Sequence, residues 1–190
     1  MPAALPDPLP DEVLQRRAIL PHKPAPVVLT GDHVRLEPFE FQPHLEALYA
    51  ISNGSPVTLG ERSVGAYDSE ELVWRYMFAG PFDTLEAFEV YMRSQTNAPN
   101  GLPFCVIDLP SGSPVGVANY INNVPDHLKI ELGSIWYSPV IQRTPANTET
   151  TYLLLRHAFD LGYRRVEWKC HSLNERSRRA ALRMGFQFEG

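Results

Sequence analysis

The chain has 190 residues, 44% hydrophobic and 21% charged, with a formal net charge of −5 at pH 7. That length and composition suit one folded domain with a sizeable core. The acidic balance argues against nucleic acid as a partner, because phosphate binding needs a basic face, and it is compatible with a cationic amine. No apolar run approaches the roughly 20 residues that span a bilayer. The start MPAALPDPLPDEV has neither the basic nor the apolar region of a secretory signal. A cytoplasmic protein without a membrane partner is therefore expected. Cys105 and Cys170 lie in strand-like runs without metal-ligand spacing, so both are expected as buried thiols and no metal is expected.

Residues 1–26 carry seven prolines and read as an extended arm with at most a short helix over 11–19. The run VVLTGDHVRLEPF reads as a strand pair, or one strand kinked at Gly31. Leu45, Leu48 and Tyr49 at helical spacing predict a helix over 41–52. Residues 56–68 read as loop. SEELVWRYMF from Ser69 reads as a helix with acidic residues at its start. Gly80-Pro81 breaks it, and a further helix follows from Asp83 to about Gln95.

Strands are predicted over 104–108, 115–121 and 128–137, the first two joined by the turn PSGSP. From 148 to 162 the residues Thr151, Leu154, Leu155, Ala158, Phe159 and Leu161 share one helical face. Residues 165–171 alternate as a strand with Val166, Trp168 and Cys170 on one side. A last helix over 174–184 ends at Gly185 as its C′ residue. Helices first, then an antiparallel meander, then β-α-β-α, predict an α/β (α+β) fold around one mixed sheet.

Residues 130–186 carry the chemistry. Gln142-Arg-Thr-Pro-Ala-Asn-Thr-Glu149 lies between a strand and a helix, where free N–H groups and the helix dipole suit an anion. With Thr144 as N-cap, Pro145 falls at the first helical position, which proline favours. The N–H groups of Ala146 and Asn147 would then point outward, with Gln142 and Arg143 beside them; a plain capped helix fits the same residues. Asn174 is a good N-cap for a helix whose first turn carries Ser177. That hydroxyl could donate to a thiolate or an oxyanion, although capping alone also explains the pair. Glu131 is a strand carboxylate that, if partly buried, could act as a general base towards an amine; an ordinary salt-bridged carboxylate fits its spacing as well.

In order and spacing these elements resemble the acetyl-CoA site of the GNAT acyltransferase superfamily, in particular its RimJ/RimL-like subgroup. The family's Gln/Arg-x-x-Gly-x-Gly/Ala pyrophosphate motif is matched by Gln142-Arg143-Thr144-Pro145-Ala146-Asn147, followed by Thr148. IELGSIWYSP resembles the family's bulged strand, whose backbone near Ile135, Trp136 and Tyr137 would pair with the pantetheine arm. Asn174-x-x-Ser177 resembles the second cofactor motif, with Asn174 on the pantetheine and Ser177 near the thioester sulfur. The resemblance covers about residues 34–190 and implies a mostly antiparallel twisted sheet flanked by helices, in a domain over 27–190.

It further implies acetyl-CoA as cosubstrate and a primary amine as acceptor, of a small molecule or a protein N-terminus, attacked directly in a ternary complex. Glu131 would be the base, Ser177 would assist the departing thiolate, and Tyr137 is a second candidate acid. Members of the family are monomers or homodimers. Two departures stand out. Pro145 and Asn147 replace the motif's small residues, removing one donor and adding a side chain. The chain also stops at GFQFEG, where the family continues into a strand pair, so that pair is expected to be missing. Both departures suit an alternative reading as a non-catalytic CoA-binding or interaction protein that keeps the fold.

Overall fold

The computed structural model describes residues 7–190, so the first six residues of the proline-rich arm lie outside the described residues. The rest of the arm forms one helical turn, α1 (Asp11–Leu14), extended by a 3₁₀ turn over Gln15–Ala18. Beyond it the arm is latched to the domain. The Asn123 amide donates to the carbonyls of Pro21 (2.7 Å) and His22 (2.8 Å) and accepts from the Tyr163 hydroxyl. Lys23 donates to the carbonyls of Thr96 and Ala98.

The domain is built on a six-stranded sheet. Its strands are β1 (Leu29–Thr30), β2 (Val34–Pro38), β5 (Leu102–Asp108), β6 (Ser113–Val124), β7 (Lys129–Tyr137) and β8 (Arg165–Trp168), side by side in that order. All neighbours are antiparallel except β7 and β8, which run parallel. A small hairpin, β3 (Val57–Leu59) with β4 (Arg62–Val64), lies apart from the sheet. The helices are α2 (Phe41–Ala50), α3 (Leu85–Thr96), α4 (Pro145–Leu161) and α5 (Glu175–Arg183). This is the expected α/β architecture: one curled, mostly antiparallel sheet flanked by helices.

The two sheet faces can be assigned from contacts. Tyr120 donates from its hydroxyl to the Leu154 carbonyl of α4 (2.6 Å), so its side of β6 faces α4. Its neighbour Asn119 faces the other way and donates to Gln95 of α3 (3.1 Å). Since Tyr120 pairs with Leu132, the side chains of Ile130 and Leu132 share the α4 face and Glu131 takes the α3 face. In the parallel pair Glu131 opposes Glu167 and Leu132 opposes Trp168. Trp168 thus shares the helix face with α5, where it bonds Ser177.

Several local expectations give way to tertiary context. Residues 56–68 hold the β3–β4 hairpin, whose two-residue loop has Gly60 at φ +59°. Its Val57 and Leu59 are buried, and Arg62 is ion-paired with the buried Asp108. The run from Ser69 is helical only over Glu70–Trp74, as one π-helical turn and not the longer helix expected; Asp68 accepts from the Glu71 N–H (3.0 Å). Its purpose in packing is Trp74, buried against Phe82, Phe88, Tyr91 and Trp136, with its indole N–H donated to the Ser52 carbonyl (2.8 Å). Cys105 is buried as expected, and burial pushes its thiol well up. Cys170 is exposed instead, because β8 ends at Trp168 and the chain turns away before it.

Candidate active site

The site begins where two paired strands part. β7 pairs with β8 only over Lys129–Leu132, and the last rung is Leu132 opposite Trp168. From Gly133 to Tyr137 the β8 side of β7 has no strand partner. The cause is written into β7 itself. Asn119 pairs with Gly133 but Val117 pairs with Trp136, so β7 carries one extra residue opposite Ala118. Ser134 takes φ +49° to accommodate it, a bulge that bends the strand and sharpens its twist. The bulge also changes the facing of the residues beyond it. Trp136 joins Glu131 on the α3 face, 5.1 Å from the Trp74 ring centroid, while Tyr137 turns to the α4 face.

Glu131 stands at the mouth of this opening. It is 4% exposed, and the space a side chain on Gly133 would occupy lies 3.5 Å from its Oε1. Its Oε2 accepts from Asn122 Nδ2 (3.0 Å) and from the Lys169 ammonium. Lys169 also donates to Glu167 (2.9 Å), and those carboxylates hold its ammonium above the usual lysine range, the Glu131 hydrogen bond foremost. Glu167 is lowered to about 2, first by Arg165 and then by Lys169, with Lys129 adding a third cation against the opposing cost of burial. Glu131 is thus buried and salt-bridged at once. The carboxylate is held by a lysine that is itself largely exposed.

On the opposite face, Asn174 caps α5 through its side-chain oxygen, which accepts from the Ser177 N–H (3.1 Å). Ser177 lies in the first turn, where the helix dipole favours negative charge. Its Oγ accepts from the indole N–H of Trp168 (2.9 Å). Glu131 and Ser177 thus approach the gap between β7 and β8 from its two sides. Tyr137 is placed elsewhere. Its hydroxyl is sealed beside Thr150 of α4 without a well-formed hydrogen bond, and burial drives the phenol up, with Thr150 opposing weakly. A proton donor for a leaving thiolate needs access to it, which removes Tyr137 as the second acid.

The α4 N-terminus follows the sequence expectation in part. Thr144 is the N-cap, Pro145 occupies the first helical position, and Arg143 sits exposed at φ +63°. The Ala146 N–H, expected to point outward, is taken by the Thr144 hydroxyl (3.3 Å), which in turn donates to the Ile141 carbonyl (2.7 Å). Gln142 faces inward, its amide donating to the carbonyls of Leu72 (3.0 Å) and Tyr137 (3.1 Å), so it braces the loop and does not line an anion pocket. Asn147 and the exposed Thr148 remain in the first turn, and Asn147 brings an N–H of the kind a helix leaves unused. Arg143 and the Asn147 N–H are the donors this end can offer a pyrophosphate. The open β7 edge over Ile135–Tyr137 suits an extended amide-bearing arm. Together they fit a CoA molecule, with fewer main-chain donors than the small residues of the usual motif would supply.

Sequence reasoning missed two supports of this site. Glu149, one turn into α4, accepts from the main-chain N–H groups of Asp32 (2.7 Å), His33 (2.7 Å) and Val34 (2.8 Å), tying the helix start to the β1–β2 turn. Partial burial raises this carboxyl, but the three N–H donors outweigh it and hold it below the usual glutamate value. Gly31 is needed there, since a Cβ would collide with the Glu149 carboxylate. The second support is Trp168, which the alternation of the sequence places only on one side of its strand, with Val166 and Cys170. No helix among the described residues is long and apolar enough to cross a membrane, and no cluster of side chains there could hold a metal.

Comparison with known proteins identifies the family and the fold. The GNAT acetyltransferase domain model matches residues 34–187. A GCN5-related N-acetyltransferase from Brucella melitensis is 38% identical, with 88% of this chain and 71% of that chain covered at a TM-score of 0.78. A probable GNAT-family acetyltransferase from Chromobacterium violaceum is 31% identical, with 100% and 86% covered at a TM-score of 0.81. RimL, a ribosomal L7/L12 α-N-protein acetyltransferase, shares the fold at 15% identity, with 87% and 83% covered and a TM-score of 0.68. No curated protein matches the sequence. The chain belongs to the GNAT family of acetyl-CoA-dependent N-acetyltransferases.

Proposed function

We propose that the protein transfers acetyl from acetyl-CoA to a primary amine by direct attack in a ternary complex. One observation carries the reading: the gap between β7 and β8 has a buried carboxylate on one side and the hydroxyl of a helix first turn on the other. A thioester lying in that gap would be attacked from the Glu131 side and would release its sulfur towards Ser177. Bound acetyl-CoA supplies the activated acyl group; the chain's own residues do the rest. Main-chain groups of residues 135–137 hold the pantetheine arm, Asn174 borders it, and Arg143 with the Asn147 N–H meets the pyrophosphate.

Glu131, directly or through water, takes a proton from the substrate ammonium once that ammonium displaces Lys169 from it, and the free amine so formed attacks the acyl carbon. Glu131 already holds one primary ammonium, that of Lys169, and this supports an amine as the group it would meet. The aromatic wall of Trp74, Tyr91 and Trp136 on the same face bounds the space towards α3. The acceptor is a small molecule or a protein N-terminus, and the cytoplasm is the expected compartment. The test is release of CoA thiol from acetyl-CoA over a panel of primary amines, with Glu131→Gln and Ser177→Ala as controls. Amine-dependent release lost in both variants supports the reading. CoA binding without thiol release points instead to a CoA-binding protein that keeps the fold, which the paucity of donors at the α4 N-terminus would then explain.

A further inference from the structure

We infer that Trp168 is a positioning residue for the acetyl-transfer step, fixing the Ser177 hydroxyl so that its hydrogen points at the departing sulfur. The inference rests on the role proposed for Ser177. An indole N–H can only donate, whereas a hydroxyl both donates and accepts. The 2.9 Å bond from Trp168 Nε1 therefore uses a lone pair of Ser177 Oγ and leaves its O–H free. Asn174 fixes the same residue through its N–H, at 3.1 Å. No described residue takes the Ser177 O–H. Trp168 is itself held on the last rung of the β7–β8 pairing, opposite Leu132, with its ring edge-on to Phe186 (5.5 Å, 62°). The donor is thus anchored at the point where the strands part, and it sets the hydroxyl before cofactor arrives. In the step itself the amine nitrogen, already relieved of its ammonium proton by Glu131, bonds to the acyl carbon and the C–S bond breaks. The electron pair passes to sulfur, where the preset O–H stabilises it, and the proton that the acylated nitrogen sheds ends on that sulfur, giving the amide and the CoA thiol.

Trp168→Phe removes the N–H and keeps a ring against Phe186. The expected result is a fall in kcat on the order of tenfold, smaller than the roughly hundredfold expected for deleting a transition-state donor in Ser177→Ala. KM for acetyl-CoA and the melting temperature should stay near the wild-type values. In a Ser177→Ala background the same substitution should have no further effect on kcat, because the two residues act as one unit. A binding readout stands apart from turnover. CoA should bind more tightly than desulfo-CoA by calorimetry, and each single variant should erase that preference. Equal kcat losses with and without Ser177, or a CoA preference untouched by Trp168→Phe, would overturn the assignment. Absence of turnover in the unaltered protein with the preference intact would refute acetyl transfer while leaving the Trp168–Ser177 sulfur contact standing.

Discussion

Glu149→Ala removes a carboxylate that joins the start of α4 to the turn between β1 and β2. Of the three N–H groups it leaves behind, those of Asp32 and His33 are on exposed residues and regain water. The N–H of Val34 belongs to a residue that is 0% exposed and has no comparable replacement. An orphaned buried donor costs about 1–3 kcal/mol, which sets the size of the expected destabilisation. For a chain of this size that corresponds to roughly 2–4 °C of melting temperature per kcal/mol. The pH dependence follows from the direction of the shift. The folded carboxyl lies below its ordinary value, so its contribution is complete above the unfolded glutamate value, about 4.3. It is lost as pH falls through the folded value. Urea denaturation at pH 7 and at successively lower pH should show the gap between wild type and variant shrinking on acidification. Gly31→Ala should mimic the loss by pushing the carboxylate out of the turn. A gap below about 0.5 kcal/mol at pH 7, within the range of ordinary surface substitutions, would refute the reasoning. So would a gap that does not change with pH.

Other outcomes derive from the same contacts. Glu131→Gln should lower kcat by about 10²–10⁴ if the carboxylate is the general base, with acetyl-CoA affinity by calorimetry unchanged. Lys169→Met should lower KM for cationic amines, by up to about fivefold, since it removes a partly exposed competing pair worth at most about 1 kcal/mol; a raised KM would show that Lys169 assists binding. Arg62→Ala should destabilise the fold by about 1–3 kcal/mol, measured by urea denaturation, because Asp108 is 3% exposed and would keep only its bonds to Ser111.

The parts of this molecule that were legible in the sequence are those whose cause is local. Thr144 before Pro145, Asn174 three residues before Ser177, and Gly185 at positive φ are cap chemistry, and all appear where local rules place them. The alternation of β7 was equally plain, and its bulge was foreseeable only from resemblance. What escaped depends on partners far along the chain. The Glu149 cage joins residues 115 to 117 apart, and nothing in PANTET marks that carboxylate as bound rather than solvated. Gln142 looked like an anion ligand by position, yet its amide serves carbonyls 5 and 70 residues away. Lys169 and Glu131 meet because parallel pairing sets Glu131 opposite Glu167. Residues 56–68 concealed a hairpin because three-residue strands carry too little alternation, although Gly60 was the available signal.

The central claim is that Glu131 and Ser177 flank a thioester in the gap beside β8. Its most direct measurement follows CoA thiol release and N-acetylated product together, for wild type and for Glu131→Gln, across primary amines at saturating acetyl-CoA. The account predicts thiol and product in equal amounts for at least one amine, and a loss of both by at least about 10²-fold in the variant. Thiol release that is independent of amine, or undiminished turnover in Glu131→Gln, would contradict it.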